Sequence, residues 1–482
     1  MGLGRVAGWI AGGLDTLVRR SAPLARHPVG VEVLLLLARA LRHADRHRGR
    51  RIDVSRAGRA LLHAWPDALS TLAARLPEGA VLISATNGKT TTTTLLTDLL
   101  LSDERRPVTN RAGANMPGGL VAELLARSRL GRRMDADVAV FEVDELWLDI
   151  VAGDVQPRMI VLGNLFRDQL DRIGEVDRLA RRWSGLVSTL PPQTVLVVNA
   201  DDARVCQLAA AAPRVTHFGL LAAPVAAPVV SDQPSCRHCR SALEVDDCRV
   251  GHLGDWHCPG CGDHRPEPTV TARLDSADGS AFTLGFADRR FAQEIEVAWP
   301  LRGRFMVANA AAAATAATEL GVDPGAIGAA LRRATGAFGR GETVSLGDRT
   351  IELLLAKNPT GLDELIRLID AERQLLFLLN DADLDGTDVS WIWDANLEAL
   401  AAVTPVRVTC GGTCADELAL RLVVAGVPQE RVTVAPGGTA AEALDHVLRD
   451  HGGDLVVLAN YTAILDLREL LAERGHVARY WA

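Results

Sequence analysis

The chain has 482 residues, 48 % of them hydrophobic and 23 % charged, a balance that excludes a disordered or fibrous protein and suggests roughly two to four domains. A formal net charge of −8 argues against a protein that coats nucleic acid. Only Lys89 and Lys357 are lysines among 52 Lys and Arg residues, asparagine occurs ten times and tyrosine twice, so each such residue stands out against a background drained of its type. Residues 1 to 25 carry Arg5, Asp15, Arg19 and Arg20 among glycines and lack the clean apolar stretch of a secretion signal. The apolar run Val31 to Ala38 is broken by Glu32 and followed by Arg39, Arg42 and His43. It is too short to span a bilayer and predicts a helix buried against the next domain. Arg46 to Arg51 reads as a solvated basic face. We expect residues 1–55 to form an N-terminal helical extension of a cytoplasmic protein.

Residues 81 to 85 (VLISA) predict a buried strand, and a helix is expected from Lys89 through Leu100 after the turn Thr86-Asn87-Gly88. This is the strand–loop–helix context of a phosphate-binding loop. Gly88 lets the backbone approach a phosphate, helix-start N–H groups face the anion, Lys89 reaches the outer phosphates, and the Thr90 hydroxyl can hold Mg²⁺. Thr86, Asn87, Gly88, Lys89, Thr90 and Thr91 are therefore the ATP-binding candidates, although Ile83 stands where the standard loop has its first glycine. A guanidinium cannot imitate a compact ammonium in such a cradle, which fits the survival of Lys89.

The run ATNGKTTT resembles the phosphate loop of the Mur ligase superfamily, whose members join amino acids to cell-wall precursors through an acyl phosphate. DVAVFEVDE (137–145) predicts a strand that delivers Glu142, Asp144 and Glu145 to the carboxyl edge of a parallel sheet, where ligands bind. By the resemblance, Glu142 corresponds to the family's magnesium-binding glutamate, and NLFRDQLDRIGE (164–175) and NADD (199–202) match further family segments. FGRGE (338–342) is similar to the family's hinge before its last domain, which implies that Arg340 faces the nucleotide. GRFMVAN (303–309) keeps a family asparagine, Asn309, as a further ATP ligand but has Met306 where relatives often carry Asn. Two departures weaken the reading as an ordinary amino-acid ligase. Gln169 replaces the family's histidine, and Trp183 falls near the place of a lysine that is carbamylated to bind a second Mg²⁺.

Cys236-Arg-His-Cys239 and Cys258-Pro-Gly-Cys261 are two CxxC pairs separated by 18 residues. This spacing predicts a zinc ribbon, and four thiolates would close the tetrahedron around a structural Zn²⁺. His238, His252, His257 and Cys248 are expected to be surface residues of the insert, which we place at about 225–272 within a central ATP-binding domain of residues 56–342. A ribbon without aromatic or basic enrichment is not expected to bind nucleic acid.

From residue 343 to 482 short apolar runs alternate with helical segments, which predicts a Rossmann-like, helix-covered parallel sheet as a C-terminal α/β domain. The fold class is therefore α/β throughout. NDADLDGTDVSWIWDANLE (380–398) is dense in carboxylates, but no glutamate stands where a calcium loop beginning at Asp381 would need it. Together with LAKNPTG (355–361), NYTAILDLR (460–468) and the ribbon, this stretch resembles the MurT family, the Mur-ligase-like subunits of lipid II isoglutaminyl synthase. The resemblance covers nearly everything from residue 75 onward.

Membership would imply an ATP-dependent carbon–nitrogen ligase acting at the inner face of the membrane. It would activate the α-carboxylate of D-isoglutamate in the lipid II stem peptide, with Lys89 among the catalytic residues. Ammonia would come from a partner glutaminase of the class I amidotransferase (GatD) type in a heterodimer, because Cys206, Cys410 and Cys414 sit in no nucleophile elbow of this chain. The resemblance also implies that an aspartate here completes the partner's Cys-His pair, and we map it to Asp394, with Asp388 as second choice. Two alternatives remain open from the sequence. One is a stand-alone Mur-type or folylpolyglutamate-type ligase, and the other a zinc-ribbon regulator that binds nucleotide without catalysis.

Overall fold

A computed structural model describes residues 3–46, 55–110, 114–131, 133–167, 175–225, 235–287, 292–336, 339–370, 373–382, 384–403, 407–450 and 452–478. Gln169, Phe338, Asp383 and most of the Arg46–Arg51 cluster lie outside these residues.

Among the described residues four α-helices precede the first strand: α1 (Leu3–Arg20), α2 (Pro28–Arg46), α3 (Arg56–Ala64) and α4 (Ala68–Ala73). A nine-stranded sheet follows. Its strands are β1 (Ala80–Ser84), β2 (Pro107–Thr109), β3 (Val138–Glu142), β4 (Met159–Leu162), β5 (Val195–Asn199), β6 (Val215–Leu221), β9 (Val270–Leu274), β10 (Ala281–Phe286) and β11 (Gln293–Ala298). Between β6 and β9 the chain makes a separate hairpin of β7 (Glu244–Val250) and β8 (Leu253–His257). The order in the large sheet is β11-β10-β9-β6-β5-β4-β1-β3-β2, parallel from β2 to β9, with β10 and β11 added antiparallel. Helices α5 (Lys89–Ser102), α6 (Pro117–Arg127), α7 (Leu148–Val155), α8 (Glu175–Ser188), α9 (Ala203–Ala209), α10 (Arg304–Glu319) and α11 (Pro324–Leu331) accompany it.

Strand alternation explains the two cores. β1 sends Leu82 into one cluster with Leu61, Leu69 and Leu120, and Val81 and Ile83 into the other with Leu96, Val307 and Ala311. The alanine run of α10 is buried and lets that helix approach α5 and the sheet closely. The run Val31–Ala38 falls inside α2, whose Leu34, Leu35, Ala38 and Leu41 are fully buried. Arg39 and Arg42 of the same helix bond Ser128 and Glu123, at 2.9 and 3.2 Å, so α2 is fixed to the end of α6.

The third sheet contains β12 (Arg340–Leu346), β13 (Arg349–Leu355), β14 (Gln374–Leu378), β15 (Val408–Gly411), β16 (Val432–Val434) and β17 (Leu455–Ala459), in the order β12-β13-β17-β14-β15-β16. It is parallel apart from the β12–β13 hairpin. Its helices are α12 (Pro359–Ile366), α13 (Glu398–Ala402), α14 (Ala415–Val424), α15 (Ala440–Asp450) and α16 (Tyr461–Glu473). The segment read as a hinge is thus the start of a strand, with Arg340 as its first residue.

Candidate functional site

β1 ends at Ser84, and the loop Ala85–Gly88 delivers the chain to the first turn of α5. Gly88 has φ +91°, a backbone turn that favours glycine, and a side chain there would also displace the Asn309 amide. Asn87 and Asn164 exchange hydrogen bonds at 2.9 Å, backbone N–H to side-chain oxygen and side-chain amide to backbone carbonyl, which fixes the loop to the end of β4. Lys89 is buried. Its ammonium donates to the carbonyls of Ala85 and Thr86 and pairs with Glu145 at 3.0 Å.

The Thr90 hydroxyl donates to the Glu142 carboxylate at 2.6 Å. Asn110 holds the backbone of Glu142 from both sides, accepting from its N–H at 2.9 Å and donating to its carbonyl at 2.7 Å. A hydroxyl and a carboxylate so placed are the hard oxygen donors that Mg²⁺ takes. Asn309 reaches the first turn of α5 from α10, accepting from the Thr92 hydroxyl at 3.4 Å.

These groups line one cleft of about 1140 Å³, its open mouth included, between the nine-stranded sheet and the C-terminal sheet. Thr86, Asn87, Gly88, Lys89, Thr90, Thr91, Glu142, Asn309 and Arg340 all face it. Met306 is buried in its wall beside Phe305, so the family asparagine is replaced here by an apolar surface. The C-terminal domain closes the cleft through Asn358, which is fully buried. Asn358 and Asn87 pair their amides reciprocally at 2.9 and 3.2 Å, while the Asn358 oxygen also caps α12 at Gly361 N–H. Lys357 lines the cleft and lies 5.7 Å from the Tyr461 ring centroid. Residue scarcity singled out Asn110, Asn164, Lys357, Asn358 and Tyr461 but assigned them no partners. Nothing in the sequence signalled Glu145 as the counter-ion of Lys89.

Trp183 is among the largest fully buried side chains, and its indole N–H donates to the Glu145 carbonyl at 3.1 Å. An apolar ring therefore supports the Lys89–Glu145 pair from below. In the NADD segment, Asp202 accepts from Leu165 and Val205 N–H, and Asp201 receives Arg249 and Arg265 at 2.9 and 2.8 Å. The bonds to Asp201 bind the β7–β8 hairpin to the sheet.

The four sulfurs of Cys236, Cys239, Cys258 and Cys261 lie within 4.8 Å of one another, a set that fits a tetrahedral four-thiolate ion. The Cys239 sulfur lies 3.4 Å from the Ser241 hydroxyl and 3.3 Å from the Cys258 sulfur. Two expectations for the insert need correction. Cys248 is buried within β7, where burial raises its pKa, because the strand packs towards the sheet. His252 is half-buried, edge-on to Phe166 at 5.1 Å between centroids. The insert also reaches the cleft, since Val250 and Leu253 line it and Gly251 N–H bonds Glu364 of α12 at 3.2 Å.

Asp388 and Asp394 do not line the cleft. Asp388 is exposed and accepts from the Ser390 N–H and hydroxyl, and the hydroxyl bond holds its carboxyl below the usual range. Asp394 is half-buried, and among the described residues its carboxylate has no hydrogen-bond or ion-pair partner. Beside it Trp393 is 49 % exposed and lies over the buried Arg421 at 5.2 Å. Asp381 and Asp385 are tied to separate threonines, Thr413 and Thr462, so these two carboxylates anchor the acidic loop to distant segments of the C-terminal domain.

Residues 355–464 match the family described as MurT ligase C-terminal, and residues 83–247 match the Mur ligase middle domain. The lipid II isoglutaminyl synthase (glutamine-hydrolyzing) subunit MurT of Streptococcus pneumoniae is 32 % identical over 408 residues, covering 83 % of this chain and 88 % of that protein. The protein of the same description from Staphylococcus aureus (strain N315) is 30 % identical over 441 residues, covering 90 % of this chain and 96 % of its own length. Among solved structures, a pseudomurein peptide ligase type C from Methanothermus fervidus superposes with a TM-score of 0.63 at 21 % identity, covering 82 % of this chain and 78 % of that one.

Proposed function

From the premise that the chain belongs to the MurT family of Mur-type ligases, we propose that it is the synthetase subunit of a glutamine-dependent amidotransferase acting on the stem peptide of lipid II. The observation that carries this reading is the convergence of Lys89, Thr90, Glu142, Asn309 and Arg340 on one cleft closed by the C-terminal domain. ATP binds along Thr86–Thr91, with Asn309 and Arg340 on the nucleotide. Thr90 and Glu142 hold Mg²⁺, which supplies charge neutralisation at the phosphates. An oxygen of the D-isoglutamyl α-carboxylate attacks the terminal phosphorus and ADP leaves, giving an acyl phosphate. Ammonia then attacks the acyl carbon, phosphate departs with the bonding electrons, and nitrogen loses a proton to leave the amide. Lys89 and the helix-start N–H groups stabilise the charge that builds on the transferring phosphoryl group. The four-cysteine ribbon holds a structural Zn²⁺.

Ammonia comes from a separate glutaminase. The name of the relatives designates a subunit, and the thiols of this chain outside the ribbon do not suit nucleophilic work. Burial raises the pKa of Cys206 and Cys414 and pushes Cys410 up to about 12, the reverse of what a nucleophile needs. Asp394 completes the glutaminase's catalytic group across the interface. Its unpartnered carboxylate supports that choice over Asp388, which is already engaged by Ser390. In the assembled complex, Asp394→Asn is expected to lower glutamine-driven amidation by a factor of about 10² or more while ammonium-driven amidation is kept. Asp388→Asn should change neither. Equal loss with both nitrogen sources would remove Asp394 from the glutaminase.

A further inference from the structure

We infer that the outer face of the α1–α2 hairpin is a docking surface for an anionic lipid bilayer. The inference rests on the reading that the substrate is lipid-linked and adds how the enzyme reaches it. α2 is apolar on two sides. Leu34, Leu35, Ala38 and Leu41 are buried against the protein, whereas Val29, 77 % exposed, Val33 and Leu36 form a stripe along the outer side. Leu17 of α1, the helix packed against α2, and Ala22 and Pro23 of the connection are exposed as well. One face is explained by the fold. The other, with exposed apolar residues at i, i+4 and i+7 of one helix, is a strip of the kind that marks an interaction site.

The charges around it point to the occupant. Arg20 and Arg26 are exposed beside the stripe, with His27 and His43. The carboxylates of this segment turn away from solvent on that side. Asp15 pairs with Arg19 and Arg56, Asp45 is buried with Arg56, and Glu32 is half-buried with one oxygen fully shielded. A chain with a net charge of −8 thus presents, among its described residues from 11 to 45, an exposed face with cations and no exposed carboxylate. That pattern complements an anionic surface, where apolar side chains enter the headgroup boundary and arginines meet lipid phosphates. No helix among the described residues is long and apolar enough to cross a membrane, so the hairpin would lie on the surface. A second copy or the partner subunit would favour an apolar patch but has no need of a face cleared of carboxylates.

The test is flotation of the full chain with vesicles of phosphatidylglycerol and phosphatidylcholine, against phosphatidylcholine alone. The expected result is salt-sensitive binding to the anionic vesicles only. Val29→Glu with Leu36→Glu, and separately Arg20→Glu with Arg26→Glu, should each reduce it by about tenfold or more. All these positions are exposed, and each variant in complex with the glutaminase should amidate a stem peptide lacking the lipid tail at the unaltered rate. Wild-type protein that fails to float, or variants that float as well as wild type, would overturn the proposal. So would a wild-type dimer abolished by the glutamates, or loss of vesicle binding once the glutaminase is bound, since the face would then belong to a protein. Failure of the wild-type complex to amidate lipid II dispersed in detergent would instead sink the proposed function, whatever the vesicles show.

Discussion

At the scale of single residues, the reciprocal amide pair of Asn87 and Asn358 joins a phosphate loop to a domain 271 residues away in sequence. Asn358→Ala removes both bonds and the cap of α12, and with each buried hydrogen bond contributing about 1 kcal/mol, kcat/KM for ATP should fall roughly 10- to 100-fold. Asn358→Asp keeps the acceptor for Gly361 N–H but sets a buried carboxylate oxygen against the Asn87 side-chain oxygen, so it should be at least as impaired as the alanine variant. Unchanged kinetics in the alanine variant would show that the pair is not used. Scarcity made Asn87, Lys89 and Asn358 visible in the sequence, because a background that tolerates few lysines and asparagines exposes those that chemistry requires. It gave no access to pairing. The Glu145 counter-ion of Lys89, the Asn110 brace around Glu142 and the Trp183 support beneath Glu145 each depend on contacts between distant segments, and only the folded chain brings them together.

At the scale of elements, α12 links the cleft to the loop that carries Asp394. Asp363 on α12 accepts from Asn396 N–H at 2.7 Å, and desolvation by burial raises its carboxyl from 3.8 to about 6. A raised folded-state pKa means that the protonated form is the stabilising one. Its contribution is complete below pH 3.8 and is lost as the pH rises through about 6, up to roughly 3 kcal/mol for a shift of this size. Asp363→Asn cannot ionise, so its melting temperature should gain on that of the wild type between pH 4 and 7. A difference that is flat with pH would contradict the burial argument. The ribbon is a second link, since its hairpin places Val250 and Leu253 in the cleft wall. Stripping the metal with a chelator, or Cys236→Ser, should weaken ATP binding several-fold in a direct titration, and zinc should restore the chelated protein. Periodicity made most of these elements legible, from β1 and α5 to the alternation after residue 349. β12 escaped because its residues are mostly exposed or half-exposed and carry no apolar run. The reach of the insert escaped because its cysteine spacing points to a metal site and not to what the neighbouring hairpin touches.

At the scale of the whole molecule, two largely parallel sheets flank one cleft, an inserted hairpin walls it, and Asp394 lies apart from it on the C-terminal domain. That separation suits a division of labour in which this chain activates a carboxylate and a partner makes ammonia. The central claim is tested most directly by mass spectrometry of lipid II after incubation with this protein, Mg-ATP and amide-labelled glutamine, with and without the glutaminase. The account predicts ATP-dependent conversion of the D-isoglutamyl carboxylate to an amide, with label in the product only when the glutaminase is present. Addition of a whole amino acid, or ATP binding without any change in the lipid, would contradict it.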